Sequence, residues 1–561
     1  MNTRACRCGA TVLSLLAFGL VCIAVMSFVS IDQLTSLGSD NVSYLLMAEW
    51  FSPYKTTPEI ISEAASRQTY PPLFPLVLAL LGASSDYLWA HRIVGVSFLL
   101  ACIFLYLLAK KMLHSEALSI VVVAGFVIMP ASWVNLLGIL SENQYLAISL
   151  AVCLLFRHSS QHWWHFVFLS VMVTALVLTR SVGLSMVVAL LIAAWLGPAK
   201  FSKSRFRWVL VCVTPVIVTI IWSQFLATSS EAHYLTLWSN LVRDISESGI
   251  REVLNLVAFQ GTRIFEAMVT AFIHHWTTES EITFFLLLLV LALGAIDLLA
   301  RLRQKELEAI YFLTFLGVLL FWRAEGQMWR LVYPIIPLSL IFIISGINRI
   351  SRQAVFGRNE RLACIFLCGI FLTTLMTGGL FIFGRNQTLQ TDNSGGYRHM
   401  TAYYQVISVG DAITKAQTEL GIINGLKRVA VLTGPGASVA WFSPMYVHLL
   451  SKRRSVPIPI KPDTEKIEAL LKRSRADYVF LSRIHPRQYS DKVNGLVFLD
   501  NYAALGEVIW SNAMERAGEE VMCVLIRIKP TAKASRKNFW SRCQRLHCKP
   551  CQYPIIVMVP P

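Results

Sequence analysis

Two acids and three arginines stand out because each sits at the edge of an apolar run instead of on a charged surface. Asp40 opens "SDNVSYLLMAEWF", Glu142 opens "LSENQYLAISL", Arg180 punctuates "VLTRSVGLSM", and Arg323 and Arg330 lie in "RAEGQMWRLVYPIIPL". A carboxylate that reaches a hydroxyl serves as a general base. A guanidinium offers a planar, permanently charged fork that matches phosphate oxygens. Carboxylates and arginines gathered at one water–lipid boundary would suit a reaction in which an acceptor hydroxyl gives up its proton and a lipid-bound phosphate departs. Each residue alone also has a plainer explanation. Asp40 or Ser39 would cap a surface helix carrying Tyr44, Met47 and Ala48 at helical spacing. Glu142 would start a helix, Glu325 would pair with Arg330, and the arginines would snorkel to headgroups.

These residues meet only if the chain crosses a membrane many times, and its composition says that it does. The 561 residues are 55% hydrophobic with a mean hydropathy of +0.56, above the roughly 45–50% apolar usage of soluble domains. The run "GATVLSLLAFGLVCIAVMSFVSI" follows Arg4 and Arg7, has no obvious small-residue cleavage site, and reads as a retained first span. Further runs near 91–109, 117–137, 143–156, 163–179, 181–197, 208–228, 282–300, 309–322, 331–348 and 362–384 bring the expected total to eleven spans. Basic residues gather in every second connection, as at Lys110 and Lys111, Arg157, Lys203 and Arg205, Arg301 and Arg303, and Arg349 and Arg352. That alternation is the positive-inside pattern. It puts the N-terminus in the cytoplasm and accounts for the net charge of +17 without a nucleic-acid partner.

On this topology Asp40, Glu142, Arg180, Arg323 and Arg330 all fall on the outer side, where two loops are long, residues 32–90 and 229–281. In the first, "YPPLFPLVLALLGA" is too short to span and is expected to lie in the interface or re-enter. The second carries a long amphipathic stretch expected along the membrane surface. From about residue 385 the pattern becomes helix-like "VGDAITKAQTELG", strand-like "KRVAVLT", a "GPGAS" turn, helix-like "PDTEKIEALLKRSR", strand-like "ADYVFLS" and "EEVMCVLIRIK". The expected fold class is an α-helical polytopic membrane protein with a small C-terminal α/β extracytoplasmic domain, divided as 1–384 and 385–561.

Cysteines such as Cys22, Cys102, Cys153, Cys212, Cys364 and Cys368 fall within spans, where a thiol behaves as a small apolar group. The tail offers Cys543, His547, Cys548 and Cys551, ligand types that suit zinc, but not the full paired spacing of a zinc finger.

The segments "SDNVSYLLMAEWF", "YPPLFPLVLAL", "HRIVGVSFLL", "LSENQYLAISL", "LTRSVGLSMVVALL" and "WRLVYPIIPL" occur in the order expected of bacterial GT-C membrane glycosyltransferases. Over about residues 10–385 the chain resembles the branch that includes protein O-mannosyltransferases and lipid A aminoarabinose transferases. The resemblance implies an inverting transfer on the outer face of the bacterial cytoplasmic membrane. The donor would be a polyprenyl-phosphate sugar and the acceptor a glycolipid, polysaccharide or protein. By the same resemblance Asp40 matches the catalytic acid of the first loop, Glu142 the acidic position of the second, and Arg330 a basic residue that holds donor phosphate; Arg323 and Arg180 join it as candidate phosphate-binding residues by their charge and outer position. Many relatives follow the first-loop Asp with Glu, and here that position is Asn41. This removes one proton acceptor or metal ligand and places more weight on Asp40; no cofactor is assigned, and a divalent metal stays an open alternative without support in the sequence. A transporter or flippase is the competing reading of a polytopic chain with interfacial acids. Against it, the expected spans carry few charges near their middles and show no clear inverted repeat.

Overall fold

The apolar runs fold as helices because lipid offers no partner for backbone N–H and C=O groups, and a helix satisfies them internally. The computed structural model describes residues 3–158, 162–196, 205–226, 233–272, 281–322, 328–353, scattered positions between 365 and 384, 409–458, 471–482, 506–512 and 523–528, less a few single positions. Its first helices are α1 (Thr3–Phe28), α2 (Asn41–Phe51), α3 (Glu59–Ser66), α4 (Leu73–Leu80), α5 (Tyr87–Leu113), α6 (Glu116–Ile128), α7 (Pro130–Leu136) and α8 (Glu142–His158). There follow α9 (Trp163–Thr179), α10 (Leu184–Leu196), α11 (Arg205–Leu226), α12 (His233–Phe272), α13 (Glu281–Arg303), α14 (Leu307–Leu320), α15 (Met328–Val332) and α16 (Ile336–Gln353).

Among the described residues, three helices are long and apolar enough to cross a membrane, Tyr87–Leu113, Phe206–Gln224 and Met328–Arg352, or four if α6 and α7 form one bent span. The expected eleven are not matched in number by helices of that length and hydropathy. Several runs form shorter apolar helices, including Leu16–Phe28, Trp163–Thr179 and Leu307–Leu320, and most of 362–384 lies outside the described residues. The expected span 117–137 bends by 55° between α6 and α7. Pro130 causes the bend, since its ring has no N–H to donate and excludes the preceding turn's carbonyl, and Met129 before it is extended.

Two expectations for the outer loops change. The segment after Asp40 is not a surface helix, because α2 is buried from Asn41 to Glu49. The amphipathic stretch of the second loop is helical, but α12 is interrupted at Gly249, whose φ of 69° and ψ of −166° favour glycine strongly.

Helix α8 carries Glu142 at its first turn and Arg157 at its last, about 22 Å apart along the axis. At the Arg157 end the basic residues do more than follow a charge rule. Arg157 pairs with Glu306 and, at 2.5 Å, with Glu308. Arg301 bonds Asp297 at 2.6 Å and Glu306 at 2.8 Å, and Arg349 approaches Asp297 at 3.3 Å. This network ties the ends of α8, α13, α14 and α16 together, leaving the other end of α8 for the acids and arginines singled out in the sequence.

The C-terminal region contains α17 (Val409–Leu432) and α18 (Pro444–Ser451), with β1 (Ser438–Trp441), β2 (Arg454–Pro457), β3 (Tyr478–Ser482), β4 (Gly506–Ser511) and β5 (Cys523–Ile528). The sheet order is β2-β1-β3-β5-β4, parallel among β2, β1 and β3 and antiparallel from β3 through β5 to β4. The expected strand "KRVAVLT" is instead the end of α17. Ile422, Ile423, Leu426 and Val429 are buried at helical spacing, so packing overrides the β-propensity of the valines. Arg453 closes this helix, donating from Nη2 to Ala430 O at 2.6 Å and Thr433 O at 2.8 Å, and from Nε to Thr433 Oγ1 at 3.0 Å. Helix ends leave such carbonyls unsatisfied, and a charged donor to each contributes about 1.5–3 kcal/mol. Arg453→Ala is therefore expected to destabilise this region by about 3 kcal/mol or more, read as faster amide hydrogen exchange across 420–433; unchanged exchange would contradict the capping role. Residues 385–408, most of the helix expected over 462–475 and the Cys/His tail lie outside the described residues.

Candidate functional site

Asp40 stands at the N-cap of α2, yet its side chain makes no capping hydrogen bond. Only its carbonyl serves the helix, accepting from Tyr44 N at 3.1 Å. The carboxylate turns instead to Arg330 and Tyr70: Oδ2 accepts from Arg330 Nη2, and Oδ1 accepts from the Tyr70 hydroxyl at 2.8 Å. Pro71 and Pro72 stiffen the chain after Tyr70 before α4 begins. The Tyr44 ring meets the Tyr70 ring edge-on at 5.3 Å and the Phe74 ring at 5.2 Å. The capping explanation of Asp40 thus gives way to a side chain held for another purpose.

Glu142 is the first residue of α8, where the helix dipole favours an acid. It is fully buried. Its Oε1 accepts from Arg330 Nε and lies 2.5 Å from Arg180 Nη1, while Oε2 has no hydrogen-bond partner among the described residues. Arg180 leaves the end of α9 in an extended conformation before a 3-10 turn, Ser181–Gly183. The turn is tight enough to require glycine, since a Cβ on Gly183 would meet Leu176 C and O and Val177 Cα at 3.0 Å.

Arg330 lies on the short α15, followed by the turn Tyr333–Ile335 with Pro334 inside it. The Tyr333 hydroxyl donates to Asn143 Oδ1 at 2.9 Å, and Asn143 Nδ2 donates to Asn135 O at 3.2 Å. The residue after Glu142 and the residue three after Arg330 therefore lock together beneath the ion pairs. A second tie runs from the Tyr44 hydroxyl to Ser141 Oγ at 2.9 Å, joining α2 to the residue before Glu142.

Arg330 thus bridges Asp40 and Glu142 through different nitrogens, and Arg180 adds a second cation at Glu142. Two carboxylates and two guanidinia balance formally. Burial opposes ionisation of Asp40, but the Arg330 guanidinium, its hydrogen bond, the Tyr70 hydroxyl and the charge of Arg180 together hold the carboxyl below the usual carboxylate range. Such an arrangement keeps the Asp40 carboxylate anionic beside two guanidinia.

Four of the five expected residues come together: Asp40, Glu142, Arg180 and Arg330. Arg323 lies outside the described residues. Tyr70, Tyr44 and Ser141 escape the sequence reading. For Tyr70 the available signal is a hydroxyl ahead of two prolines in the loop that follows Asp40, while a Tyr and a Ser on different elements carry none. Among the described residues no group of three or more His, Cys, Asp or Glu is placed to hold a metal ion. With the facing oxygens of both acids taken by guanidinia, the described residues of this site do not fit a metal centre.

No family model matches the chain, and no curated protein sequence matches it. Solved structures do. ArnT from Cupriavidus metallidurans, in a structure bound to undecaprenyl phosphate, aligns with a TM-score of 0.51 at 13% identity over 93% of this chain and 99% of that one. The same protein in its apo state gives 0.50 at 12% identity, over 94% and 100% of the two chains. The Archaeoglobus fulgidus oligosaccharyltransferase, in complex with zinc and sulfate, gives 0.41 at 12% identity, over 82% and 68%. The chain shares its fold with that ArnT, in keeping with the resemblance of its ordered segments.

Proposed function

We propose that this protein is an inverting membrane glycosyltransferase that moves a sugar from a polyprenyl-phosphate donor to an acceptor hydroxyl of the cell envelope. The observation that carries the reading is the Arg330 bridge between Asp40 and Glu142, in a fold shared with an ArnT whose structure holds undecaprenyl phosphate. Residues 1–384 form the catalytic membrane part and 385–561 the C-terminal domain. The site faces the outer side of the bacterial cytoplasmic membrane, and the N-terminus lies inside.

In this reading the donor phosphate enters between Arg330 and Arg180 and competes with the carboxylates for their N–H groups. A guanidinium suits the task because its planar fork serves two oxygens at once. Arg323, in the same sequence segment as Arg330, is the third arginine assigned to the donor phosphate. As Arg330 turns to phosphate, Asp40 is released to accept the acceptor's proton. The acceptor oxygen attacks the anomeric carbon from the side opposite the phosphate. The C–O bond to phosphate breaks with its electron pair on the leaving oxygen, and the proton rests on Asp40. Glu142 keeps the arginines aimed, so the cations stabilise charge where it accumulates.

Reconstituted protein supplied with radiolabelled undecaprenyl-phosphoryl sugars and envelope acceptors should yield a glycosylated acceptor of inverted anomeric configuration. Movement of labelled lipid across the bilayer without sugar transfer would overturn the assignment. The pH profile offers a second check. Because the folded-state pKa of Asp40 is depressed, its ionised form is present above the ordinary carboxylate range and is lost only as pH falls through the lower value. Since kcat/KM reports the free enzyme, it should stay level down to about pH 5 and fall only below the usual carboxylate range. An acid limb near neutrality would contradict Asp40 as the base.

A further inference from the structure

The C-terminal region grips the Asp40 segment at three points. Before Asp40, Leu37 N donates to Glu419 Oε2 of α17 at 3.1 Å. Beside it, the Tyr446 hydroxyl of α18 donates to Asn41 Oδ1 at 3.3 Å. Beyond it, Lys452 at the end of α18 donates to both oxygens of the buried Glu49, at 2.7 and 2.6 Å. The Ser43 hydroxyl adds a contact to Met445 Sδ at 3.6 Å.

Asn41 links this grip to the rest of the site. Its amide Nδ2 donates to Thr35 O, and the Thr35 hydroxyl donates to Leu137 O at 2.5 Å, in the segment that leads to Glu142. One side chain thus receives from α18 and passes the connection to the Glu142 side. An amide fills this position because it both accepts from Tyr446 and donates to a carbonyl. A Glu carboxylate is acceptor-only when ionised and cannot make the second bond. The residue that departs from the family pattern therefore has a defined use.

We infer that α18 sets the placement of the Asp40 segment, so that Asn41, Tyr446, Glu49 and Lys452 are positioning residues that hold Asp40 against Arg330. This rests on the proposed donor-phosphate site, since the consequence is read through Arg330. With α2 held, an incoming phosphate must displace Asp40 from Arg330. With the grip loosened, Arg330 is freer to bind phosphate, while the base no longer points reliably at the acceptor.

The test is a double-mutant cycle on the full-length protein, with undecaprenyl phosphate as the binding probe. Tyr446→Phe, which removes a single oxygen, and Lys452→Met are each combined with Asp40→Asn. Each outer substitution alone should tighten undecaprenyl phosphate binding by about 3- to 10-fold. In the Asp40→Asn background the same substitutions should change binding by less than about 2-fold, because the competitor they position is gone. Lys452→Arg should restore the wild-type value. A general loss of structure would weaken binding in both backgrounds. Weaker binding, an equal effect in both backgrounds, or no effect in either would overturn the inference and leave the donor site standing. A wild-type protein that does not bind undecaprenyl phosphate would overturn the donor site and the inference with it.

Discussion

Asp40→Asn is expected to lower sugar-transfer turnover by about 10²–10⁴-fold, the range that general base catalysis contributes, with little change in the amount of folded protein. The substitution keeps the side chain's shape and its ability to accept from the Tyr70 hydroxyl. What it removes is the negative charge that pairs with Arg330 and the lone pair that accepts a proton. Glu142 does not replace it. Glu142 is fully buried behind two arginines, whereas Asp40 retains 16% exposure of its side chain, enough for an acceptor hydroxyl to approach. The prediction separates catalysis from binding, because undecaprenyl phosphate should bind the Asp40→Asn protein at least as tightly as the wild type, its competitor for Arg330 having gone. Turnover within 3-fold of wild type would remove Asp40 from the chemistry. Lost turnover accompanied by lost lipid binding would assign it to donor recognition instead.

The second large effect is expected at Arg330. Arg330→Ala takes one guanidinium from two carboxylates at once, leaving Asp40 with its Tyr70 hydrogen bond and Glu142 with Arg180. Removing one partner of a buried pair costs about 3–5 kcal/mol, so a clear fall in melting temperature should accompany the change. Affinity for undecaprenyl phosphate should fall by about 30-fold or more, the loss of a charge-assisted bond of roughly 2–3 kcal/mol. Arg330→Lys should recover part of the stability and little of the affinity. An ammonium is a point charge without the separate Nε and Nη2 that serve Glu142 and Asp40 together. A lysine variant with wild-type affinity would show that charge alone suffices and that the bridge is incidental.

The site was more legible in the sequence than the architecture around it. Asp40, Glu142, Arg180 and Arg330 stand out because charges at the edges of apolar runs violate the local pattern, and alternating basic loops lead one to expect them on one side. The structure joins Asp40 and Glu142 through Arg330 and sets Arg180 against Glu142; the side of the membrane they face belongs to the proposal. A surface placement of α2 fails because the helix is covered by α3 and α4 and, some 400 positions along the chain, by α18. A sequence pattern reports that Tyr44, Met47 and Ala48 share a face, not what covers the others. The strand assigned to "KRVAVLT" failed for a related reason: β-branched residues bias the backbone weakly, and the buried stripe of α17 with its Arg453 cap decided the outcome. Pro130 was visible, but hydropathy averaged over 117–137 concealed the bend it enforces. In the sequence Asn41 is only a missing acid. Its role as a connector needed Thr35 and Tyr446 in view.

The central claim is that a lipid-linked phosphate takes over the guanidinium that Asp40 and Glu142 share. An experimental structure of the full chain with undecaprenyl phosphate tests this most directly. The phosphate should lie within hydrogen-bonding distance of Arg330, about 3 Å, with Arg180 on its other side and the Asp40 carboxylate drawn away from Arg330 toward open space. A phosphate seated elsewhere, with Arg330 still joining Asp40 to Glu142, would contradict the account.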